Sequence, residues 1–296
     1  MEKAILFLWV LLPFCLGSRN LATRIAGGEE VGWDRYPYFA LLEIKWREQT
    51  TDPIITNWCG SVVIASSSLL TAAHCFQKPN IESVTAKVGI YDLEDDPTRQ
   101  VVTVQSRVLH PYYDPAKASN DIAIARLETT VNVKPVSISF ENGFPKVGTM
   151  TKVIGFGRES PDEKEISDKL LEISVTVSRT SYCREKLGTP YVVSATQICA
   201  GGSGKVPCKG DSGGPMIVKG FSGKPDKIAG IVSFGGSECN EKPAVFTRVS
   251  AYKLWLEGNL CRRSESIPPR WCHNGGPIGT PNKPPIKGGK PFPPKP

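Results

Sequence analysis

The stretch CKGDSGGPM, Cys208 to Met216, sets an acid, Asp211, directly before Ser212 in a run of glycines. Asp, Ser, Gly and Pro are turn residues, so a surface turn is one reading. A catalytic loop is the other. A serine hydroxyl is a poor nucleophile until a base takes its proton, and near neutral pH that base is histidine. The chain has three histidines. His110 precedes a proline in VLHPYYDP and reads as a loop residue, and His273 lies in a Pro- and Gly-rich tail. His74 ends the apolar segment LLTAAH beside Cys75, and a bridge from Cys75 to Cys59 would hold it in place. A catalytic imidazole also needs a carboxylate on its second nitrogen to fix the tautomer and stabilise the imidazolium. Asp121, which opens DIAIARL, is the candidate. Each residue alone has a plainer reading: a strand-end Asp bonding backbone amides, and a structural His.

The elements that must hold these groups read as strands. In LEISVTVS, Leu171, Ile173, Val175 and Val177 alternate with Glu172, Ser174, Thr176 and Ser178, the period of a half-buried strand. DIAIARL repeats the pattern with Ile122 and Ile124. Many short strands between Gly, Pro and Asp turns imply an all-β barrel or sandwich. One helix is expected near the end, with Ser250 as its cap and Tyr252, Trp255 and Leu256 on one face. A length of 296 residues allows one large or two small domains.

Both ends depart from this body. Lys3 followed by an apolar run from Ala4 to Leu16 reads as a secretory signal over residues 1–17, cleaved after Gly17. A membrane anchor would need about 20 apolar residues, and Pro13 and Gly17 interrupt the run. No other segment is long and apolar enough, so a secreted, extracellular protein without a membrane anchor is expected. Removing the signal removes Cys15 and leaves eight cysteines, at 59, 75, 183, 199, 208, 239, 261 and 272. An even number in an exported chain implies disulfides, although eight cysteines allow 105 pairings. The competing zinc site has no CxxC pair to build on. No N-x-[ST] sequon is present. Residues 262–296 hold ten of the 25 prolines and seven Lys or Arg against one Glu, a net +6 of the chain's +7. This basic tail has too few apolar groups to fold alone and is expected to be disordered. The body is nearly neutral, and no nucleic-acid partner is expected.

Taken together, LLTAAHC, NDIAIARL and CKGDSGGP resemble the trypsin/chymotrypsin-like serine peptidases in order and rough spacing. RIAGG at 24–28, SFGG at 233–236 and KPAVFTRV at 242–249 add to the resemblance, which runs from Ile25 to about Leu260. It implies a secreted serine peptidase domain over 25–261, built as two packed six-stranded antiparallel β-barrels, at about 25–135 and 148–250, with a C-terminal helix. It also implies Ser212 as nucleophile, His74 as general base and acid, Asp121 as the orienting carboxylate, and the Gly210 and Ser212 amides as the oxyanion hole. Residues 18–24 would be an activation propeptide. Cleavage after Arg24 would free the Ile25 amine to pair with the Asp211 carboxylate, making the chain a zymogen that depends on an activating trypsin-like protease. The implied disulfides are 59–75, 183–199 and 208–239, leaving Cys261 and Cys272 to pair with each other.

The same resemblance places Val206 at the base of the specificity pocket, with Gly235 and Ala244 as its walls. Trypsin-like members carry an acid where Val206 stands. An uncharged base, an open entrance at Gly235 and an interior narrowed by Ala244 imply cleavage after Leu, Met, Phe or Tyr, with an elastase-like preference as the close alternative. Phe156 and Phe234 stand at the family's usual tryptophan positions. Calcium-binding members carry an acidic loop where this chain has VGIYDLEDDPTRQ. Ile90 replaces an expected glutamate ligand, so Asp92, Glu94, Asp95 and Asp96 read as a weak Ca²⁺ site at most, or as a solvated acidic turn, and no other cofactor is implied. Expected partners are protein or peptide substrates, and an anionic matrix through the tail. Two rivals remain: a catalytically silent, protease-like binding protein, and a matrix adhesion protein in which activity is incidental.

Overall fold

The alternation in LEISVTVS becomes a strand whose Leu171, Ile173, Val175 and Val177 are buried while Thr176 is exposed. The computed structural model describes residues 28–158, 160, 162–188, 193–235, 239, 242–261 and 271–272. The signal and propeptide segments with Arg24 and Ile25, and the tail from His273, lie outside the described residues. After a short β1 (Glu29–Glu30), six strands follow: β2 (Phe39–Trp46), β3 (Ile55–Ala65), β4 (Ser68–Thr71), β5 (Ile81–Val88), β6 (Gln100–Leu109) and β7 (Ala123–Leu127). They close into an antiparallel barrel in the order β2-β3-β4-β7-β6-β5.

A short β8 (Ser137–Ile138) then leads to β9 (Met150–Gly155) and β10 (Leu171–Ser178). Helix α1 (Thr180–Leu187), β11 (Gln197–Ala200), β12 (Pro215–Val218), β13 (Lys227–Phe234), β14 (Ala244–Arg248) and helix α2 (Lys253–Leu260) complete the chain. The path β10-β11-β14-β13-β12-β9 is closed by pairing of β9 with β10 from Leu171↔Gly155 to Thr176↔Met150, giving a second six-stranded barrel. β1 and β8 add to its outside, on β10 and β13. The two barrels are the ones expected.

Three local details differ from the sequence reading. In β7, Ala123 and Ala125 are as buried as Ile122 and Ile124, because α2 covers the strand's outer side. Arg126 Nη2 donates to the Asn259 carbonyl at 2.8 Å, and the His110 ring packs against Tyr252 and Trp255 at 5.2 and 5.3 Å. Ser250 does not cap α2. Its hydroxyl donates to the Phe144 carbonyl at 2.9 Å, and the helix starts later, after a 3₁₀ turn over Val249–Tyr252. Helix α1 has no counterpart in the expectation. It is two turns long and ends on Gly188 (φ +72°), whose N–H reaches the Arg184 carbonyl.

Candidate active site

Each candidate side chain stands at the end of a strand, where the two barrels meet. His74 lies in a 3₁₀ turn (Ala73–Phe76) just after β4, and Asp121 stands two residues before β7, the hydrogen-bonded neighbour of β4. Asp121 Oδ1 accepts the His74 backbone N–H at 2.9 Å, and its Oδ2 lies 2.7 Å from His74 Nδ1. Because a buried carboxylate accepts, the proton sits on Nδ1 and the lone pair on Nε2. Asp121 is only 1% exposed, yet it does not lack partners. Ser233 Oγ donates to Oδ2 at 2.6 Å, and Thr247 Oγ1 donates to the Asp121 carbonyl at 2.7 Å. Reaching across from β13 and β14 of the second barrel, Ser233 holds the carboxylate of the first and Thr247 holds its backbone. Neither was singled out from sequence, although Ser233 opens the quoted SFGG motif.

Ser212 sits on the turn before β12. Its carbonyl accepts from the Gly60 N–H at 2.7 Å, and Cys75 Sγ lies 3.8 Å from the same carbonyl. Cys75 is bridged to Cys59. The disulfide and β3 therefore seat the serine turn beside the histidine turn. Ser212 and His74 line one cleft of about 480 Å³. At Gly210 the backbone has φ +103°, and an added Cβ would fall 2.7 Å from Ile166 Cγ2 and 3.2 Å from Gly157 Cα. Conformation and crowding both demand glycine there.

Asp211 turns away from the cleft into the protein. It is 1% exposed, accepting from the Gly157 N–H (Oδ1) and the Cys208 N–H (Oδ2), both at 2.8 Å. Among the described residues no cation pairs with it. Burial pushes its carboxyl up to about 6, against the pull of those two amides. The slot is made by absence of side chains: a Cβ on Gly155 or Gly157 would fall 2.0 or 2.1 Å from a carboxylate oxygen of Asp211.

Val206 is 3% and Ala244 2% exposed. A methyl added at Gly235 would lie 3.2 Å from Ala244 Cβ, so Gly235 and Ala244 face each other as one wall. All four cysteine pairs are closed: Cys59–Cys75, Cys183–Cys199, Cys208–Cys239 and Cys261–Cys272. The last pair joins Cys272 to the end of α2, and beside it the Trp271 ring meets Phe140 at 5.3 Å. Trp271 thus packs against the body's core. His110 is structural, and its pKa is lowered by burial.

The acidic turn is not simply solvated. Asp96, 4% exposed, accepts from Tyr91 N–H at 2.7 Å, Thr98 N–H at 2.9 Å and Thr98 Oγ1 at 2.7 Å. Asp92 pairs with Lys169, which holds its carboxyl below the usual range, and also accepts from the Glu94 and Asp95 amides.

Two closed barrels contributing a carboxylate-oriented histidine and a serine to one cleft define a chymotrypsin-fold hydrolase. The chain belongs to the trypsin family of serine peptidases, whose model, "Trypsin", matches residues 25–256. It is 35% identical over 260 residues to "Granzyme B(G,H)" of Mus musculus, spanning 86% of this chain and 98% of that one. It is 30% identical over 262 residues to "Cathepsin G" of Mus musculus, spanning 86% and 92%. A solved chain described as "Structure of GrC" aligns with TM-score 0.67 and 30% identity over 78% of this chain and 97% of that one. No helix among the described residues is long and apolar enough to cross a membrane.

Proposed function

We propose that this chain is a secreted serine endopeptidase, made as a zymogen, that cleaves after apolar residues. The observation that carries the reading is the 2.7 Å contact of His74 Nδ1 with enclosed Asp121, in the cleft that Ser212 also lines. Ser212 Oγ attacks the scissile carbonyl while His74 Nε2 takes its proton. The imidazolium is stabilised by Asp121, and the negative oxygen of the tetrahedral intermediate is received by the amides of Gly210 and Ser212. His74 returns the proton to the departing amine, and water repeats the sequence on the acyl-enzyme. The buried, uncharged Val206 and the Gly235–Ala244 wall favour Leu, Met, Phe or Tyr before the cleaved bond, with small residues next in rank.

Asp211 supports the zymogen reading. Its buried carboxyl, held by two backbone amides and by no cation among the described residues, would pair with the Ile25 ammonium released by cleavage after Arg24, and that pair would fix the Gly210 amide beside it. The acidic turn at Asp92–Asp96 is proposed as a structural element closed by its own amides and Lys169, not a Ca²⁺ site. The basic tail is proposed to retain the enzyme on an anionic matrix.

The test is a randomised peptide library exposed to trypsin-activated protein. Cleavage after apolar residues, abolished by Ser212→Ala, is the expected result. A properly folded, activated protein that cleaves nothing would instead support the silent binding protein.

A further inference from the structure

The cleft shared by Ser212 and His74 is not the specificity pocket: Val206, Gly235 and Ala244 are all absent from its walls. It opens on the opposite side of the serine, bounded by Trp58, the Cys59–Cys75 bridge, Ile166 and Gly210. A peptide held with its acyl residue over Val206 must send its leaving portion this way, past the histidine that protonates the departing amine. The cleft therefore receives the residues that follow the cleaved bond. This step rests on the peptidase reading.

The charge of that cleft is one-sided. Among the described residues, Lys78, Arg158, Lys164 and Lys209 line it, against one anion, Glu165. The four cations come from three separate segments. Lys78 follows the 3₁₀ turn that holds His74. Arg158 and Lys164 stand on the loop after β9. Lys209 directly precedes the oxyanion glycine. Two of these segments are tied together at the backbone, since the Arg158 N–H donates to the Lys209 carbonyl at 2.8 Å. Lys78 is steadied by the Trp46 ring, with its ammonium 5.0 Å from the centroid. Among the described residues none of the four is in an ion pair, and Asp162 and Glu163, on the same loop as Arg158, do not line the cleft. Converging cations that outnumber the described anions around them form a positive field that a bound anion relieves. Half-buried walls such as Trp58 and Ile166 strengthen that field by displacing water.

We propose that this cleft selects substrates carrying acidic residues immediately after the cleaved bond, so that the enzyme reads an apolar residue before the bond and carboxylates behind it. The apolar pocket determines where the chain is cut, and the cationic cleft determines which protein is cut. The preference is electrostatic and thus salt-dependent.

The experiment uses the trypsin-activated chain and three quenched fluorogenic peptides. All share one apolar acyl side and continue with Asp-Glu, Ala-Ala or Lys-Lys. The expected order of kcat/KM is Asp-Glu, then Ala-Ala, then Lys-Lys, with about tenfold between the first two at low salt, because a few partly exposed ion pairs each contribute a modest factor. The gap should narrow towards equality in about 0.5 M NaCl, where the screening length falls to a few ångströms. The double variant R158E/K164E should reverse the order. Ratios within each enzyme separate this effect from any general loss of activity. Parent enzyme that cleaves Ala-Ala at least as fast as Asp-Glu overturns the proposal. Inhibition by a sulfated polysaccharide without any acidic preference among the peptides overturns it too, and points to a polyanion site. Failure to cleave all three peptides, with no labelling of Ser212 by a fluorophosphonate, overturns the peptidase reading and takes the acidic preference with it.

Discussion

Asp121 is a charge almost sealed from water, and it is tolerable only because donors surround it. His74 supplies two, and Ser233 supplies a third from the other barrel. Removing the Ser233 hydroxyl takes one charge-assisted bond from a carboxylate that, on the proposed mechanism, stabilises an imidazolium. Ser233→Ala should leave the fold intact and lower kcat/KM about tenfold, at the low end of the range for a hydrogen bond to a charged group. Steady-state kinetics on a short apolar peptide reads this, and an unchanged kcat/KM would remove Ser233 from the charge-holding set. Ser212→Ala should do far more, cutting hydrolysis by several orders of magnitude while circular dichroism and secretion stay as in the parent. Residual activity within tenfold of the parent would exclude Ser212 as nucleophile. At the pocket base, Val206→Asp should shift cleavage towards Arg and Lys by offering the incoming cation a partner. A parent enzyme that already cuts mainly after Arg or Lys would refute the pocket reading.

The loop between Cys208 and Pro215 is held by backbone bonds and by its one buried acid, and this gives it a pH signature in the uncut chain. The folded Asp211 carboxyl sits near 6 where the usual value is 3.8. From about pH 4 to 6 the folded state therefore binds more protons than the unfolded one, and stability falls as pH rises across that window. The full stability is present below about pH 4, and a shift of roughly two units amounts to about 3 kcal/mol lost above pH 6. Urea unfolding of uncut Ser212→Ala protein from pH 4 to 7, with and without Asp211→Asn, should show this slope only where Asp211 is present. Cutting after Arg24 should flatten it, as the Ile25 ammonium draws the carboxyl pKa down. Equal slopes with and without Asp211 would mean that the carboxyl is not stranded. The importance of Asp211 was legible in the sequence because it adjoins the serine. The slot formed by Gly155 and Gly157 was not, since those residues act by lacking side chains some fifty positions away. Strand alternation was legible wherever one face meets solvent, as in β10. It misled in β7, because a helix 130 residues later covers the other face. Helix α1 carried too short a pattern to separate from a loop, and Ser250 found a tertiary acceptor that outcompeted its helix. The cationic cleft is assembled from segments distant in sequence, so no local pattern announced it.

The two barrels are clamped around the site by contacts that span the chain. Arg35 and Tyr38 both reach Asp226, at 2.9 and 2.7 Å, and the Tyr36 hydroxyl meets Glu172, which Lys152 also holds. Phe39 packs against Phe156 at 5.9 Å between ring centroids. With Trp271 and the Cys261–Cys272 bridge also seated on the body, truncation after Cys272 should leave kcat/KM on a short peptide within about twofold, while retention on an anionic matrix falls. A collapse in rate would show that the tail serves catalysis. The arrangement also bears on how the enzyme is switched on. On the proposed activation by a cut after Arg24, the enzyme acting on itself would have to seat a guanidinium over Val206. Burying that charge without a partner costs several kcal/mol, and each 1.4 kcal/mol is a factor of ten in rate. The far side of the bond is no more inviting. Ile25, Ala26, Gly27 and Gly28 follow Arg24 before the first acid, Glu29, so the cationic cleft meets no carboxylate next to the bond. On the proposed specificities both sides of the site reject the activation sequence, and a separate trypsin-like protease should be needed upstream. Purified precursor would be incubated alone, with a trace of active enzyme, and with trypsin. Only the trypsin sample should show a new N-terminus at Ile25 and gain activity. Conversion by the trace of active enzyme, lost when that enzyme carries Ser212→Ala, would refute the pocket assignment together with the upstream protease.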